Sequence, residues 1–394
     1  MGLAIAPLPE PPGRVDLLVM AAECSGDELG ALLIREYAEL NPGAAICAIG
    51  GGAMRRCGAQ FLFPLADHAA MGIWEVLRQG MFFYRFFHAA VDWICRHRPK
   101  KVCFIDSPAL HLRLAQRLAK LGISHRGGGD VYLYHYVAPQ VWAWKPERRF
   151  AVARHLDGLA VLFPFEVASF ADTDLPTTCV GHPFSRRDRL SPVCYEENGR
   201  ILLLPGSRRA TVRHNFPPMM ATFSRLAEEN SSFEAICPYP TDEIQAILEQ
   251  HIDRHPRIAE RIHPVPIADG LLRPIGAQLA LVCAGTMSLQ CALEGIPGVV
   301  ICRVNPLTYA IGRRLVRVPF LAMANLLLGY ECYPEYVQGA VQPAVLAEQL
   351  VRFIHGRREF AEVSRELHRH LRSGDMTPGE WLSRAAQAGI EEGE

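Results

Sequence analysis

The chain of 394 residues is too long for one ordinary core and suits two domains of roughly 150–200 residues each. Hydrophobic residues make up 49% and charged residues 21%, so both domains can bury large cores. Lysine plus arginine equals aspartate plus glutamate at 41 each, which excludes a global electrostatic attraction to nucleic acid.

The first half of the chain alternates short apolar runs with helical patterns. Residues 15–22 predict a buried strand, and a helix is expected from about 28 to 39 after a small-residue turn. The same step from strand to glycine recurs at 44–54, and another strand is expected within 100–110. Two later apolar runs, YLYHYVAP and GLAVLF, predict further strands. Strands that alternate with helices indicate a parallel α/β sheet covered on both faces.

A second series of strands and helices begins near residue 200. The runs RILLLPGSRRATV and FEAICPYP each predict a strand, and LALVCAGTMSLQCALEGIPGVVICR predicts a strand, a helix and a strand. The polar, turn-rich stretch 181–199 is interpreted as an interdomain linker. We therefore predict an α/β protein of two doubly wound, Rossmann-like domains, residues 1–184 and 185–354, facing a cleft. The helical segment 355–394 is expected to pack back on the first domain.

The motif LPGSRR at 204–209 is a candidate for anion binding. Gly206 turns the chain after a strand, and Ser207 is expected to cap the next helix. A helix N-terminus offers N–H groups and a positive dipole to a phosphate, and Arg208 adds a bidentate contact. The alternative is a simple strand-to-helix turn with a surface arginine.

A second strand-to-helix turn lies within 284–295. Gly285 permits close backbone approach, and Thr286 or Ser288 is expected to cap the helix. Gln290 lies one turn into the helix, where it could bond a ribose hydroxyl. A capped packing helix is the alternative, but two such helix starts in one domain favour a nucleotide diphosphate.

The first domain carries acidic and glycine-rich turns. ECSGDELG at 23–30 contains the carboxylates Glu23 and Asp27 and lacks the G-x-G-x-x-G pattern of a dinucleotide site. Carboxylates beside a turn suit sugar hydroxyls, although Asp27 could equally be a helix N-cap. GGGAM at 50–54 is another strand-end loop where the backbone could approach a ligand.

Asp106 ends the apolar strand in FIDSPAL, residues 104–110. A carboxylate at that position borders a ligand cleft while its strand is buried. It could act as a general base and accept a proton from an attacking hydroxyl. The alternative is an N-cap for the following helix, which has Pro108 in its first turn.

Two segments are rich in aromatic and basic residues. In 134–149 the aromatic side chains could stack on a sugar or line an acyl groove, with an interdomain core as the alternative. In 71–101, seven Trp, Phe and Tyr residues lie among arginines and lysines, which suits a helix that touches a membrane. A helix with one buried face explains the same pattern.

No metal site is predicted. Asp172 and Asp174 imitate a D-x-D metal motif but lie in a polar loop without an apparent third ligand, and the histidines show no H-E-x-x-H spacing. The cysteines form no C-x-x-C pair, and several fall in apolar runs, which indicates free thiols in a reducing cytosol. No run of about 18 apolar residues is present, so we expect no transmembrane helix.

These stretches together resemble the lipid-A-disaccharide synthase family over nearly the whole chain, from about Leu17 to Leu371. The matching stretches, in order, are AAECSGDELGALLIR, AIGGGAM, LADHAAMGIWEVL, FIDSPAL, HYVAPQVWAWKPER, LFPFE, VGHP, LLPGSR, AGTMSLQCAL, VNPLTYAIGRRLVRVPF, ANLLLGYE and PEYVQ. The resemblance implies a GT-B type glycosyltransferase with the UDP-sugar on the second domain and the acceptor lipid on the first. It implies transfer of 2,3-diacylglucosamine from UDP to the 6-hydroxyl of 2,3-diacylglucosamine 1-phosphate, inverting and without a metal or other cofactor.

The resemblance also implies roles for particular residues. Asp106 matches the aspartate of the family's I-D-x-P motif, the candidate catalytic base. The predicted UDP-donor residues are Gly206, Ser207, Arg208, Gly285, Thr286, Gln290, Asn325 and Gln338. The predicted substrate-binding residues are Ser25, Gly26, Asp27, Gly51, Gly52 and Met71. Because both substrates are lipids, the expected location is peripheral, on the cytoplasmic face of the inner membrane of a Gram-negative-type bacterium.

Some positions depart from the family pattern. Ala284 and Gln290 stand where the family has serine and glutamate, Tyr330 stands where an arginine usually follows, and 125–132 is an insertion. These departures keep two alternatives open: a non-catalytic nucleotide-sugar or lipid-binding relative, and a nucleotide-sugar epimerase on the same fold. The presence of Asp106 and Arg208 favours the enzyme.

Overall fold

The computed structural model describes residues 7–66, 76–185, 191–267, 274–316, 318–354, 356–371 and 376–385. The chain forms two compact units. The first comprises Met1–Pro183 together with Ser373–Glu394, and the second comprises Phe184–Arg372. The first unit is therefore built from two separate stretches of sequence.

The first unit contains a sheet of parallel strands. They are β1 (Leu17–Ala21), β2 (Ile46–Ile49), β3 (Gln60–Phe63), β4 (Lys101–Ile105), β5 (Tyr132–Tyr136), β6 (Gly158–Val161) and β7 (Thr177–Cys179). Their order across the sheet is β3-β2-β1-β4-β5-β6-β7, and every neighbouring pair is parallel. Every residue of β1 and β4 is buried, as expected for strands with helices on both faces.

Helices connect and cover these strands. They are α1 (Cys24–Leu40), α2 (Gly52–Arg55), α3 (Val76–His97), α4 (Pro108–Lys120), α5 (Arg148–Ala153) and α6 (Pro164–Ala168). Helix α1 begins earlier than the sequence predicts, because Gly26 lets its first turn lie close to the sheet. A Cβ at Gly26 would lie 3.4 Å from both the Ala21 side chain and the Ile105 carbonyl oxygen.

The main core of the first unit lies between the sheet and helices α3 and α4. Phe86 and Ile94 from α3 and Leu114 and Leu118 from α4 join one buried cluster with Phe104 of β4. Each of these side chains is almost fully removed from water, which contributes about 1.5–3 kcal/mol per residue before the cost of ordering it.

The second unit contains a sheet of six parallel strands. They are β8 (Val193–Leu204), β9 (Ala235–Tyr239), β10 (Ile262–Pro266), β11 (Ile275–Cys283), β12 (Gly298–Cys302) and β13 (Glu335–Val337). Their order is β10-β9-β8-β11-β12-β13. The helices of this unit are α7 (Arg209–Glu229), α8 (Asp242–Ile252), α9 (Pro256–Ala259), α10 (Thr286–Leu293), α11 (Pro306–Leu315), α12 (Met323–Leu328), α13 (Pro343–Ile354) and α14 (Arg357–Leu371).

Strand β8 begins within the stretch interpreted as a linker, so that interpretation is wrong from Val193 onward. Val193 is buried and pairs with Ile275, while the polar residues that follow it face solvent. The pairing is irregular at Gly276, where a Cβ would lie 1.6 Å from a carboxylate oxygen of Glu196. The exposed polar face of this strand imitates a loop in the sequence.

The last two helices belong to different units, so the expectation that all of 355–394 packs on the first domain is wrong for α14. Helix α14 packs on α10 and α12 of the second unit, where Ser364 donates a hydrogen bond to the Leu293 carbonyl. Helix α15 (Pro378–Arg384) packs on α1 of the first unit. The apolar stripe of α14 decides its placement: Phe360, Val363, Leu367 and Leu371 are all buried.

Lys101 joins helix α15 to the first sheet. Its ammonium group donates to the Leu382 carbonyl at 2.8 Å and to the Tyr37 hydroxyl at 3.3 Å. Burial lowers the pKa of Lys101 to about 8. This lysine is therefore an interior residue of the first unit.

The prediction of two parallel-sheet α/β domains is confirmed. The sequence did not indicate β3, β7, β10 or β13, which are the edge strands of the two sheets. Within the described part of the chain, no helix combines the length and the apolar character needed to cross a bilayer.

Candidate functional site

The carboxyl ends of parallel strands lie along one edge of a sheet, where open α/β folds bind their ligands. In the first unit, β2, β1, β4 and β5 are consecutive neighbours. The segments that follow them are the glycine loop 50–54, the start of α1, the turn at 106–107 and the turn at 137–139. The fold therefore brings Asp106 and the predicted substrate loops to the same edge.

The turn that carries Asp106 has a strained backbone. Asp106 and Ser107 are both left-handed, with φ of +50° and +45°. The β-branched Val137, which follows the neighbouring strand β5, has φ of +74°. Each left-handed residue other than glycine costs on the order of 1–3 kcal/mol unless its surroundings compensate. Three such residues at adjacent strand ends make this edge the strongest candidate for a functional site.

Two fully buried histidines lie beneath this turn, and no sequence pattern marks either of them. His111 Nδ1 lies 2.7 Å from the Asp106 carbonyl oxygen, and the two imidazole centroids of His111 and His135 are 6.1 Å apart. Burial lowers the pKa of His111 to about 4 and of His135 to about 3, so both are neutral near pH 7. A bond to a carbonyl requires the proton on Nδ1, so His111 donates and holds the strained turn.

The alternative that Asp106 is a helix N-cap is wrong. Helix α4 begins at Pro108, and its N-cap residue is Ser107, whose side chain makes no capping bond. The Asp106 amide donates to the Tyr136 carbonyl at 2.9 Å, which ties the turn to β5. Asp106 is half-buried at the sheet edge and stays the predicted general base.

Asp27 has a structural role that the sequence did not predict. Its buried carboxylate accepts hydrogen bonds from the amides of Gly51 at 2.7 Å, Ala53 at 2.8 Å and Met54 at 3.1 Å. These bonds cap α2 and hold the glycine loop, and they occupy both carboxylate oxygens. A Cβ at Gly50 would lie 2.8 Å from the same carboxylate. We therefore correct the predicted role of Asp27 from binding sugar hydroxyls to fixing the loop.

The other predicted substrate residues lie at this edge or outside the described residues. Ser25 is exposed in the first turn of α1, while Gly26 is buried against the sheet. Gly51 is the N-cap residue of α2, and Gly52 begins that helix. Met71 falls outside the described residues. Ser25 and the 51–52 backbone thus remain the predicted contacts to a sugar.

Glu166, in the LFPFE stretch, is a further buried ionisable group near this edge. Its carboxylate accepts from the amides of Leu162 and Phe163, both at 3.1 Å, and from Trp142 Nε1 at 3.2 Å. Burial raises the pKa of Glu166 to about 7, although the three N–H donors act in the opposite direction. Glu166 accepts from the amide of the N-cap residue Phe163, but phenylalanine offers no side-chain acceptor, so no S/T-x-x-E pattern marks this glutamate in the sequence.

The aromatic segment 134–149 is divided between interior and surface. Trp142 is held by Glu166, whereas Trp144 is exposed, with Lys145 and Arg148 over its ring at 4.8 and 5.3 Å. An exposed indole beside cations fits the predicted contact with a sugar or an acyl chain better than a core position.

The aromatic residues of α3 mostly face the core. Phe86 and Trp93 are buried, and Phe82, Phe83 and Phe87 are partly buried against the same core. Tyr84 and Met81 are exposed, at 62% and 55%. In the part of α3 whose side chains the structure describes, the pattern is therefore that of a helix with one buried face, which was the alternative to a membrane-touching helix.

In the second unit, the anion-binding turn follows β8. Gly206 has φ of +109°, and a Cβ there would lie 2.8 Å from the Thr211 side chain, so the turn requires glycine. Ser207 and Arg208 are exposed, and Arg208 rather than Ser207 is the N-cap residue of α7. The N-cap residue Arg208 makes no capping bond with its own side chain, so the expected cap by Ser207 is wrong.

The turn after β11 lies beside the turn after β8, since the two strands are neighbours. Gly285 is the N-cap residue of α10, Thr286 is exposed, and Ser288 donates to the Gly285 carbonyl instead of accepting from an amide. The predicted caps by Thr286 and Ser288 are therefore wrong. Gln290 is only 3% exposed, and its amide donates to the Ser191 hydroxyl oxygen at 2.9 Å. This placement favours a packing role for Gln290 over a ribose contact.

Asn325 lies in the interior of the second unit. Its amide nitrogen donates to the Tyr333 carbonyl and to Glu335, both at 2.8 Å, and its oxygen accepts from the amides of Cys332 and Tyr333. These bonds use the hydrogen-bonding capacity of a fully buried side chain. We therefore correct the predicted role of Asn325: it holds the segment 321–335 in place and does not bind the UDP-sugar.

Gln338 has a similar structural role. Its side-chain amide pairs with the backbone of Val304, accepting at 3.4 Å and donating at 3.0 Å. The pair ties the segment after β12 to the end of β13 and holds Gln338 at φ of +52°. The sequence predicts that the side-chain amide of Gln338 contacts the UDP-sugar. In the structure this amide binds the backbone of Val304 instead.

The D-x-D sequence is neutralised by arginines. Arg149 makes a bidentate ion pair with Asp172, and Arg126 pairs with Asp174. Both carboxylates have their pKa lowered by these partners. Among the residues that the structure describes, no group of three or more His, Cys, Asp or Glu side chains is arranged to hold a metal ion.

Comparison with known sequences identifies the family. The sequence profile described as lipid-A-disaccharide synthetase matches residues 17–379, which includes the strand-end turns of both units. The chain belongs to the lipid-A-disaccharide synthetase family. Its relatives include the lipid-A-disaccharide synthases of Gluconobacter oxydans, 34% identical over 87% of this chain and 82% of that one, and of Granulibacter bethesdensis, 33% identical over 86% of each. The enzyme of Rhodospirillum centenum is 31% identical over 94% of this chain and 93% of that one.

Solved structures with the same fold include epimerases and glycosyltransferases. A UDP-GlcNAc 2-epimerase from Neisseria meningitidis bound to UDP-GlcNAc has a TM-score of 0.57 at 10% identity, covering 95% of this chain and 98% of that one. A spinosyn rhamnosyltransferase complexed with thymidine diphosphate has a TM-score of 0.54 at 14% identity, covering 95% and 100%. At these identities the likeness shows the GT-B fold alone.

One departure from the lipid-A-disaccharide synthetase pattern has a visible partner. The Tyr330 hydroxyl donates to Glu366 of α14 at 2.8 Å. Burial, together with this bond, raises the pKa of Tyr330 to about 12. The residue that replaces the family's arginine thus joins α14 to the segment after α12.

Proposed function

We propose that the chain is a lipid-A-disaccharide synthase. It transfers 2,3-diacylglucosamine from UDP to the 6-hydroxyl of 2,3-diacylglucosamine 1-phosphate and releases UDP. The observation that carries this proposal is the family match across residues 17–379, which contains both Asp106 and Arg208. The relatives that cover most of the chain bear the name of this activity.

Asp106 is the proposed catalytic base. The acceptor hydroxyl oxygen attacks the anomeric carbon of the donor from the face opposite UDP, and the hydroxyl proton passes to the Asp106 carboxylate. The bond between the anomeric carbon and the phosphate oxygen breaks as the new bond forms, and UDP leaves with the electron pair. Attack from the opposite face inverts the anomeric centre. The strained, histidine-supported turn at 106–107 supports this role because it holds the carboxylate in one orientation.

The proposed diphosphate site is the pair of strand-end turns in the second unit. It comprises Gly206, Ser207, Arg208, Gly285 and Thr286. The first-turn amides of α7 and α10 and the Arg208 guanidinium would stabilise the charge that develops on the leaving UDP. These donors match the diphosphate charge, so the proposed reaction includes no metal and no other cofactor.

The test is release of UDP from the acylated donor. Purified full-length protein is incubated with UDP-2,3-diacylglucosamine and 2,3-diacylglucosamine 1-phosphate, and both UDP and the disaccharide 1-phosphate are measured by mass spectrometry. We expect the two products in equal amounts. UDP binding without either product would favour the non-catalytic relative, which Gln290 and Tyr330 keep under consideration. Conversion of a UDP-sugar to its epimer without acceptor would favour an epimerase.

We also propose a peripheral location on the cytoplasmic face of the inner membrane, because both substrates carry acyl chains. The basic residues at the end of 71–101 are less available to bind a membrane than the sequence suggests. Arg96, Arg98 and Lys100 are ion-paired with Glu10, Asp130 and Asp16, and Lys101 is buried. A charge-reversal variant that tests this segment must therefore leave Lys101 unchanged, since Lys101 holds α15.

A further inference from the structure

Helix α11 is a surface helix with no buried residue. Leu307, Ile311 and Leu315 are 69%, 51% and 39% exposed. They are spaced four residues apart, so they form one apolar stripe along the helix. A stripe of this kind normally faces a core. Here it faces outward along the length of the helix.

The base of α11 is rigid although its stripe is uncovered. Two side-chain amides clamp the segment that leads into it: Asn215 pairs with the Arg303 backbone at 2.8 and 3.0 Å, and Gln338 pairs with Val304. Asn305 then caps the helix by accepting from the Leu307 amide, and Pro306 occupies its first position. The fold thus presents a preformed helix, which an isolated peptide of about 10 residues would not maintain.

The charge around the stripe has one sign. The sequence from Arg303 to Leu321 contains Arg313, Arg314 and Arg317 as well as Arg303, and it contains no Asp or Glu. Among the described residues, Arg313 and Arg314 are exposed and have no carboxylate partner. On a helical projection Arg314 lies beside the stripe, whereas Arg313 lies on the opposite face of the helix. An apolar stripe with an arginine at its border, in a segment without carboxylates, is typical of a helix that lies in a membrane interface.

We propose that α11 docks the second unit on an anionic membrane surface. Leu307, Ile311 and Leu315 enter the boundary between headgroups and acyl chains, and the arginines contact lipid phosphates. This proposal rests on the proposed function, because the lipid substrates of that function are the reason that the protein meets a bilayer. It does not depend on α3, whose aromatic residues mostly face the core of the first unit.

Charge decides between a membrane and a second copy of this chain. Two copies meeting through α11 would bring two arginine clusters together, and like charges opposed at an interface cost several kcal/mol. An anionic bilayer supplies the opposite charge together with an apolar layer for the stripe. The occupant that matches both features is therefore a lipid surface.

The experiment measures co-sedimentation of the full-length protein with vesicles. One set contains phosphatidylcholine and phosphatidylglycerol, and the other contains phosphatidylcholine alone. The stripe variant is Leu307→Gln/Ile311→Gln/Leu315→Gln, which retains residues that favour a helix. The matched control is Val345→Gln/Ile354→Gln, which changes two exposed aliphatic residues of α13 in the same unit. Thermal melting checks that both variants fold.

We expect the stripe variant to bind anionic vesicles at least about tenfold more weakly, or about 1.4 kcal/mol, while the control binds like the wild type. Arg313→Glu/Arg314→Glu should weaken binding at low salt, with a smaller difference at about 0.5 M salt. Unchanged vesicle binding by the stripe variant would overturn the proposal. If the stripe variant instead dissociates a dimer seen without vesicles and keeps its vesicle binding, the stripe is a surface between copies.

Turnover on detergent-dispersed donor and acceptor separates this proposal from the proposed function. Loss of vesicle binding with full turnover in detergent would support docking and the enzyme together. A wild-type protein that docks through α11 but forms no disaccharide would leave docking intact and reject the activity. A wild-type protein that forms disaccharide but docks independently of α11 would leave the activity intact and reject docking through α11.

Discussion

The carboxyl edges of the two sheets are built from different kinds of side chain. The first edge combines left-handed residues at 106, 107 and 137 with buried ionisable groups, His111, His135 and Glu166. At the second edge, Gly206 supplies the turn, and the neutral amides of Asn325 and Gln338 hold the neighbouring loops. The first arrangement fixes the backbone that carries the Asp106 carboxylate. The second places the starts of α7 and α10 at neighbouring strand ends.

Under the proposed function, this difference separates chemistry from binding. A proton transfer is sensitive to the position and basicity of one group, which justifies a strained turn supported by a fixed histidine tautomer. Diphosphate binding needs several N–H donors and a close backbone, which glycine and helix N-termini supply. Substitutions at the first edge should therefore change turnover and pH dependence. Those at the second edge should change affinity or stability.

The largest expected effect is that of Asp106→Asn on turnover. Asparagine tolerates the left-handed backbone and keeps the shape of the side chain, but it cannot accept the hydroxyl proton. We expect turnover to fall by about 10²–10⁴-fold, with UDP affinity and thermal melting little changed. Asp174→Asn is the matched control, since that exposed carboxylate pairs with Arg126. Near-wild-type turnover of Asp106→Asn would remove Asp106 from the mechanism.

The next effect is a loss of stability in Asn325→Ala. The change leaves buried backbone groups of residues 332 and 333 without partners, so the free energy of unfolding should fall by about 3 kcal/mol. UDP affinity, measured by calorimetric titration on the folded variant, should not change.

Arg208→Ala is the complementary variant at the same edge. It should weaken UDP binding by about tenfold and leave stability nearly unchanged, because the arginine is exposed. The assignment of Asn325 to the fold and of Arg208 to the UDP site fails if Asn325→Ala weakens UDP binding and Arg208→Ala does not.

Glu166→Gln tests whether pH dependence belongs to the first edge. The wild-type pKa of Glu166 is raised to about 7 from 4.5, so its contribution to stability is complete below about pH 4.5 and is lost as the pH rises through 7. Glutamine does not titrate. The free energy of unfolding of the wild type relative to the variant should therefore fall by on the order of 2–3 kcal/mol between pH 4.5 and pH 8. Urea unfolding at several pH values measures it, and a constant difference would mean that the three N–H donors keep the carboxylate ionised.

Gln290→Glu should have the smallest effect. The Ser191 hydroxyl already donates to the Val193 carbonyl at 2.7 Å, so its oxygen accepts from Gln290. A carboxylate would meet a lone pair there, and stability should fall by about 1 kcal/mol while UDP affinity stays the same. Ser191→Ala is the control, because it removes the same bond from the other side. Tighter UDP binding in Gln290→Glu would restore the predicted ribose contact.

The sequence predicted the interior strands and the positions of the strand-end turns. Buried parallel strands such as β1 and β4 are continuous apolar runs, and the turns after them contain glycine or a polar residue. The edge strands could not be predicted in the same way. β7 and β13 are three residues long with no fully buried residue, so no apolar periodicity marks them.

Roles of polar side chains were predicted less well than their positions. Asp106 and Arg208 lie at the predicted edges, but Asp27 and Gln338 turned out to bind backbone groups 24–27 and 34 residues away. Such partners depend on which strands become neighbours, and no local pattern encodes that. His111 was missed for a related reason: its bond to Asp106 becomes visible only when the left-handed turn is known.

The division of the first unit into two stretches has a consequence for synthesis. Domains usually fold as units during translation, beginning from the N-terminal side. Here the ribosome must complete the entire second unit before α15 can dock on α1 and before Lys101 can reach the Leu382 carbonyl. Until then the nascent first unit carries an apolar surface that Trp381 and Leu382 later cover, and a buried lysine without its acceptor. A released chain truncated after residue 372 should therefore hold a second unit closer to its final state than the first, although the first is translated earlier.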